Sequence, residues 1–419
     1  MSQKSSKTAP NTAYDVLIVG GGMVGASLAV ALMPLKLKVG MIDAYEFGVA
    51  EQPSYDDRAI ALSYGSSRIY SGMGLWKVLS PQTTAIEKIH VSDRGHFGAA
   101  RLSATQEKVP ALGYLVESRI LGKQLYDILA ESDVDIIAPA MVDALQQSDS
   151  GLDITINQKG KTSSLTTKLL VAADGTQSKV RQLSGIGFNR SEYHQAAVIA
   201  NVSTEKPHNN QAFERFTATG PIALLPLTEN RCSLVWTHDT KNGTESFDET
   251  MSLNDDAFIQ KLEDEFGYRL GRFTKVGKRS SFPLALVTSE KNTATRTVII
   301  GNASHTMHPV AGQGLNLALR DIAVLADLIA EHPDDTGCDA LLKGYESQRK
   351  GDLKTTVKYT DSLVRLFSND HFLLGHARAG GLLAVDRILP MRKWLTRQSM
   401  GINYRQSRLA RGLQLRTQP

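Results

Sequence analysis

Three glycine-bearing turns in this 419-residue chain, each lying between an apolar run and a helical stretch, combine residue types that can do chemistry. The first is Gly20-x-Gly22-x-x-Gly25. In such a turn the first glycine permits the sharp bend, the second lets backbone approach a pyrophosphate, and the third brings helix and strand together. Asp43 ends the next apolar strand, where a carboxylate accepts hydrogen bonds from a ribose diol. The pattern predicts dinucleotide binding.

The second turn, Asp174-Gly175-Thr176-Gln177-Ser178-Lys179-Val180-Arg181, follows the strand LLVAA. An acid and a glycine at a strand end, with Ser and Arg one turn on, can aim hydrogen-bonding groups at a phosphate or sugar; the same residues also make an ordinary turn and helix N-cap. The third turn, Gly301 to Asn316, again separates a buried strand from a helix. Amides at a glycine-rich helix start carry partial positive charge able to hold an oxyanion or an electron-rich ring edge. One ligand long enough to meet all three turns is FAD.

The elements that must position these turns read as an α/β protein. Val16 to Val19 form a strand suited to burial on both faces, Ala26 to Met33 a helix, and Lys38 to Asp43 a second parallel strand. Uncharged residues run from Val16 to Leu35, long enough for a membrane span, but the glycines, Pro34 and Asp15 favour strand, turn and helix. A strand is expected near Ile86 to Ser92 and a helix from Arg119 to Glu131. From about Tyr193 to Phe282 period-two runs such as PIALLPL and CSLVWTH predict an antiparallel sheet interrupted by one helix, Asp255 to Phe266. The fold class is therefore a Rossmann-like FAD-binding domain with an inserted antiparallel substrate-domain sheet and C-terminal helices. Residues 14–190 form the first part of the FAD-binding domain, with short substrate-domain excursions. Residues 191–285 form the sheet, 286–335 the return, and 336–419 a helical region with a basic tail.

Composition narrows the function. Cys232 and Cys338 fit neither a metal-ligand pair nor a redox C-x-x-C, so no metal site is expected and a reducing, cytoplasmic setting suits the chain. From Arg387 to the end there are eight Lys or Arg and no acid, which turns a balance that is acidic elsewhere into a net +4. Charge confined to one tail gives no support to nucleic-acid binding. Interleaved with Leu, Ile and Trp394, it suits an amphipathic helix on anionic lipid, on the inner face of a membrane, or a partner-binding tail.

Four separated segments carry a resemblance: DDRAIALSYGSSRIYSGMGLW (56–76), ERFTATGPIALLPL (214–227), GNASHTMHPVAGQGLNLALRD (301–321) and TDSLVRLF (360–367). With the three turns they resemble the flavin-dependent aromatic hydroxylases of the p-hydroxybenzoate hydroxylase type, and more narrowly the ubiquinone-biosynthesis hydroxylases, over about residues 14 to 400. The likeness is greatest to the 2-polyprenyl-6-methoxyphenol hydroxylases, because the third fingerprint reads Gly301-Asn302 where sister enzymes usually read Gly-Asp.

The resemblance implies FAD at Gly20, Gly22, Gly25, Asp43, Arg58, Asp174, Gly175, Gly301 and Asn302. Arg119 would meet the adenine side, and Pro309, Ala311, Gly312, Gln313, Gly314, Leu315 and Asn316 would lie beside the flavin ring. It implies that NAD(P)H reduces FAD, that dioxygen adds to give a flavin hydroperoxide, and that a polyprenyl phenol is hydroxylated, with other ubiquinone-biosynthesis proteins as partners. Pro309 and Gly312 enter the catalytic set through the loop amides. A phenol of pKa about 10 reacts better when a base takes its proton. His305 and His308 flank the flavin loop and are the candidates, although a histidine near a turn is more often a structural hydrogen-bonder.

Rival readings separate on cheap features. A flavin disulfide reductase needs an early cysteine pair, and a flavin halogenase a W-x-W-x-x-P segment; neither is present. A sister hydroxylase of different ring position, a prenyl reductase and a non-catalytic FAD-binding scaffold stay open.

Overall fold

The computed structural model describes residues 12–46, 58–148, 151–309, 312–367, 372–404 and 406–416. The first sheet has a parallel centre in the order Thr297–Ile299, Lys161–Ala172, Thr12–Val19, Val39–Ile42, Asp135–Ile137. Antiparallel strands Thr293–Ala294, Gly151–Gln158 and Met141–Ser148 extend it. The apolar run Val16 to Val19 is buried on both faces, as a central parallel strand requires. Val16 and Ile18 join one core with the helices Met23–Leu32 and Gln313–Glu331, and Leu17 and Val19 join a second on the opposite face.

The second sheet contains Phe188–Thr204, Gln211–Thr217, Gly220–Pro226, Arg231–Asp239, Phe273–Val276 and Ser280–Ser289. Two of these strands, Phe188–Thr204 and Ser280–Ser289, run through positions 191 and 285. Lys88–Asp93 and Ala99–Ser103 also join, and Lys88–Asp93 pairs in parallel with Gln211–Thr217, so the sheet is not purely antiparallel. Two helices rather than one interrupt it, Glu245–Ser252 and Asp255–Phe266; the first, polar and short, has too weak an apolar stripe to read from sequence. Phe258, Leu262 and Phe266 of the second pack under Trp236, Leu234 and Val198 to form this sheet's core.

The C-terminal region is helical as expected as far as Ser399, but the last part of its basic tail is not an amphipathic helix. After Asp339–Phe367 and Phe372–Arg387, the helix Leu389–Ser399 ends. The chain then turns back: Met400 O accepts from Gly65 N–H at 2.8 Å, and Leu409, Ala410 and Leu415 enter the main core. Apolar side chains there found a place to bury, which outweighs helix continuation. Among the described residues, no helix is long and apolar enough to cross a membrane.

A buried ion cluster ties these helices to the first sheet. Arg349 donates through Nε to Asp321 at 2.7 Å and through Nη1 to Asp352, and Arg320 Nε lies 3.2 Å from Asp352. Asp321 also accepts from the Gly301 N–H at 3.2 Å, so the cluster reaches the third turn. Burial pushes the Asp352 carboxyl up, but the Arg320 and Arg349 guanidinium groups outweigh it and hold it below its usual range. Arg349→Met would leave Asp321 and Asp352 buried with too little positive charge. We expect a loss of about 3–5 kcal/mol in urea unfolding, only partly recovered by Arg349→Lys, whose single ammonium cannot fork between two carboxylates. A loss below about 1 kcal/mol would refute this role.

Candidate active site

Register brings the three turns together. Ile299, Ala172, Val19 and Ile42 form one cross-strand row at the carboxyl ends of adjacent parallel strands. Gly20, Asp43, Asp174 and Gly301 therefore leave the sheet at nearly one level, where open α/β sheets bind ligands. Gly20 has φ +104°, and a Cβ there would lie 2.4 Å from the Ala173 carbonyl oxygen. A Cβ on Gly25 would lie 1.9 Å from Gly20 O, so hydrogen alone allows the helix to sit on the strand end.

All three turns open into one cavity of about 1150 Å³, larger than the roughly 300–1,000 Å³ of ordinary single-ligand pockets. Of the expected residues, Gly20, Gly22, Asp43, Arg58, Asp174, Gly175, Asn302, Pro309, Gly312, Gly314, Leu315 and Asn316 line it. Two helix N-termini face it without side-chain caps, at Gly22 and at Gly312, and neither first turn holds an acid. The amides of a helix's first turn favour negative charge. Asp43 accepts from the N–H groups of Gly21 and Tyr45, which pull its pKa down, but burial is the larger effect and raises it. Asp174 accepts from Val180 N–H through Oδ2, while its Oδ1 is buried with no hydrogen-bond partner. An orphaned acceptor beside two uncapped helix starts fits the hydroxyls and phosphates of FAD.

Other expected residues stand elsewhere. Arg119 is 58% exposed, pairs with Glu117 at 2.5 Å, and does not line the cavity; its place opening a helix points it outward. Gly25 and Gly301 shape their turns from behind the cavity wall, and buried Gln313 is not part of that wall. The Asn316 amide is spent within the protein, accepting from Ser63 N–H and Ser66 Oγ–H and donating to Ala61 O and Gly312 O. Arg181 donates to Thr176 O and Ala303 O, both at 2.8 Å, so it ties the second turn to the third instead of pointing at a ligand. Ala311 lies outside the described residues, as do Asp56 and Asp57 of the DDRAIALS segment.

The two histidines are structural. His305 is buried, with Nδ1 3.2 Å from Ser304 Oγ and 3.9 Å from Asp321; burial lowers its pKa more than Asp321 raises it. His308 contacts Gln195 Oε1 through Nε2 at 3.1 Å and stands edge-on to Tyr193, and burial pushes it down to about 4. Neither lines the cavity, so neither is placed to take a proton from a molecule inside it. Side-chain direction, invisible in the sequence, decides this. Sequence reasoning also missed what the cavity wall gains from elsewhere: Glu214 from the second sheet, and Tyr359, Leu363, Leu382, Leu395 and Ser399 from the C-terminal helices. The motif segments ERFTATGPIALLPL and TDSLVRLF contained two of these, Glu214 and Leu363, without a cue to which faced inward.

Comparison with known proteins agrees with this geometry. Residues 13–360 match the FAD binding domain family. The chain is 37% identical to ubiquinone hydroxylase UbiL of Rhodospirillum rubrum, over 96% of this chain and 93% of that one. It is 30% identical to the 3-demethoxyubiquinol 3-hydroxylase of Escherichia coli, over 94% of this chain and 100% of that one. Among solved structures, p-nitrophenol 4-monooxygenase PnpA from Pseudomonas putida shares the fold at a TM-score of 0.77 and 15% identity, covering 94% of this chain and 100% of its own. With the match to UbiL running nearly end to end, the chain belongs to the FAD binding domain family and, within it, to the FAD-dependent hydroxylases of ubiquinone biosynthesis.

Proposed function

We propose that this chain is a monooxygenase that hydroxylates the aromatic ring of a polyprenylated phenol, 2-polyprenyl-6-methoxyphenol, using NAD(P)H and dioxygen. The observation that carries the reading is the continuity of one cavity from the three turns to an apolar sheet face. Asp43, at the end of its strand, would accept from the adenosine ribose, and the amides at Gly22 and Met23 would face the pyrophosphate. Asp174 Oδ1 would accept a hydroxyl nearer the ring, and the amides at Gly314 and Leu315 would stabilise negative charge on the reduced ring, the Gly312 N–H being given to Pro309 O. Gly314 leaves open space where any Cβ would project, giving a flat group room beside it. Bound FAD would supply the redox chemistry, in which two electrons from NAD(P)H reduce dioxygen so that one oxygen atom enters the ring and the other leaves as water. The chain itself must orient the phenol and keep water out, and the apolar roof contributed by Ile199, Val235, Ala223 and Leu225 does both.

Leu395 and Ser399 line the cavity from inside, while on the outside of the same segment Ile388, Leu389, Met391 and Trp394 are exposed beside Arg392, Lys393 and Arg397. This short apolar and cationic surface suits an anionic lipid face from which a prenyl tail enters. It replaces the longer tail expected from sequence. A protein partner of the same biosynthetic assembly is the competing occupant.

The purified chain is expected to be yellow and to convert a short-chain 2-prenylphenol to a product one oxygen atom heavier, read by mass spectrometry. FAD retention without NAD(P)H oxidation in the presence of phenol would point to a scaffold instead, and a gain of two hydrogens to a reductase. Asn302, exposed on the cavity wall, places a neutral amide where a carboxylate would form a charge-assisted bond. Asn302→Asp should bind FAD about tenfold more tightly and lower the flavin potential; unchanged values of both would remove Asn302 from the site. Flotation with anionic vesicles should be lost in a Leu389→Ser/Met391→Ser variant and weakened by salt, and salt-insensitive binding by that variant would sink the lipid reading.

A further inference from the structure

The roof of the cavity carries one carboxyl among apolar side chains. Cross-strand register places Ile199, Val235, Ala223, Glu214, Val91 and Ala100 in a single row across five neighbouring pairings. Every member of that row lines the cavity. The adjacent trio of Ala212, Ile89 and Leu102, linked by the same pairings, is wholly apolar and also lines it. Glu214 is thus an isolated acid on a greasy wall, and no hydrogen bond or ion pair joins its side chain to another described residue.

Its surroundings leave little to neutralise it. Strand alternation sends the flanking Arg215, and His90 and Arg101 on the neighbouring strands, to the opposite face, where His90 feels both arginines. From the helix Asp339–Phe367, Tyr359 reaches the same cavity and interacts electrostatically with Glu214; burial first, then this charge, raises the Tyr359 hydroxyl, which therefore stays protonated and able to donate. The remaining charged groups of the wall, Arg58, Asp43, Asp143, Asp174 and Lys179, come from the segments that form the turns and their surroundings. Burial pushes the Glu214 carboxyl up to about 7. An acid with no partner among the described residues in such a place destabilises the fold once ionised, and a leucine would serve the roof better. A carboxyl that titrates near neutrality inside a ligand cavity is suited to proton transfer.

We propose that Glu214 accepts the hydrogen bond of the substrate's phenol hydroxyl and takes its proton as the ring is hydroxylated. This rests on the hydroxylase reading. The phenol O–H bond breaks and a carboxyl O–H bond forms on Glu214. The electron pair left on the phenol oxygen flows into the ring and raises its nucleophilicity toward the oxygen atom derived from dioxygen. The C–H bond at the oxygenated carbon then breaks to restore the aromatic ring, its proton going to the second dioxygen-derived oxygen as that leaves as water, and the proton held by the carboxyl returns to the product oxygen, so Glu214 ends the turnover as a carboxylate. The step itself is not redox; NAD(P)H and dioxygen remain the reductant and oxidant. His305 and His308 are not needed for it.

The test uses the full-length FAD-loaded protein with 2-allylphenol as probe, its binding followed by perturbation of the flavin spectrum at pH values on both sides of about 7. In the wild type, affinity should rise about tenfold as the carboxyl ionises, because a phenol donates more strongly to a carboxylate than to a carboxyl. The kcat/KM for the oxygenated product should rise with it. Glu214→Gln should bind the probe without pH dependence and make product about 100-fold more slowly, and Glu214→Asp should recover the pH slope. A folding control comes from linkage. The folded carboxyl holds its proton more tightly than the unfolded one, so native stability falls as pH rises from about 4.5 through about 7. Glu214→Gln should therefore melt higher than wild type above that window and equally below it. Retention of the wild-type slope and rate by Glu214→Gln would overturn the proposal. Product formed by a wild type with no slope would remove Glu214 alone; a slope with no product would remove the hydroxylase reading and the proton transfer with it.

Discussion

The in-register ending of adjacent parallel strands is the constraint on which the molecule rests. Parallel pairing fixes Ile299, Ala172, Val19 and Ile42 in one row, so whatever residue follows each of them must emerge at the same edge. Segments separated by more than a hundred residues become neighbours through backbone hydrogen bonds alone. A slip of one residue in any pairing would turn a strand's buried side chains to its other face and carry its turn out of line. The apolar side chains of Val16 to Val19, inaccessible on both sides of the sheet, oppose such a slip.

Once the strand ends are aligned, the site is made of backbone. Close approach at Gly20 and Gly25 leaves no room for side chains, and the uncapped helix starts at Gly22 and Gly312 leave their amides facing the cavity. Side chains hold the frame from behind it: Arg181 joins the second turn to the third, Asn316 joins the strand Ala59–Ser63 to the helix start, and Asp321 bonds Gly301 while paired with Arg349. Such a division suits a polyanionic ligand, because fixed dipoles meet charge without long flexible cations that must be ordered on binding.

The second sheet supplies what the first cannot. It is stitched to the third turn where His305–Thr306 pairs with Val287 and Thr288 on its edge strand, and by the hydroxyl contact of Thr176 with Thr306 at 3.0 Å. Its far face packs on the helix Asp255–Phe266, leaving the near face to roof the cavity. The C-terminal helices close another part of the wall, so one chamber is assembled from elements spread along almost the whole chain.

Strand and turn identity at the three glycine segments was determined by local chemistry, and for that reason the sequence alone sufficed to read them: apolar runs, glycines where backbone must bend or touch, and an acid at a strand end. Family likeness over separated motifs then named the ligand and the class of reaction. What only the tertiary structure decided was direction. Arg119, Arg181, His305 and His308 sit in or beside the right motifs, yet their side chains point outward, to another turn, or into the core, because packing and nearby acceptors, not spacing, set a rotamer. Glu214 was the converse, an unremarkable residue in a quoted strand that register places at the centre of the cavity roof. The basic tail was legible as charge but not as shape, since whether its apolar residues face water or the core depends on a groove built from distant parts of the chain.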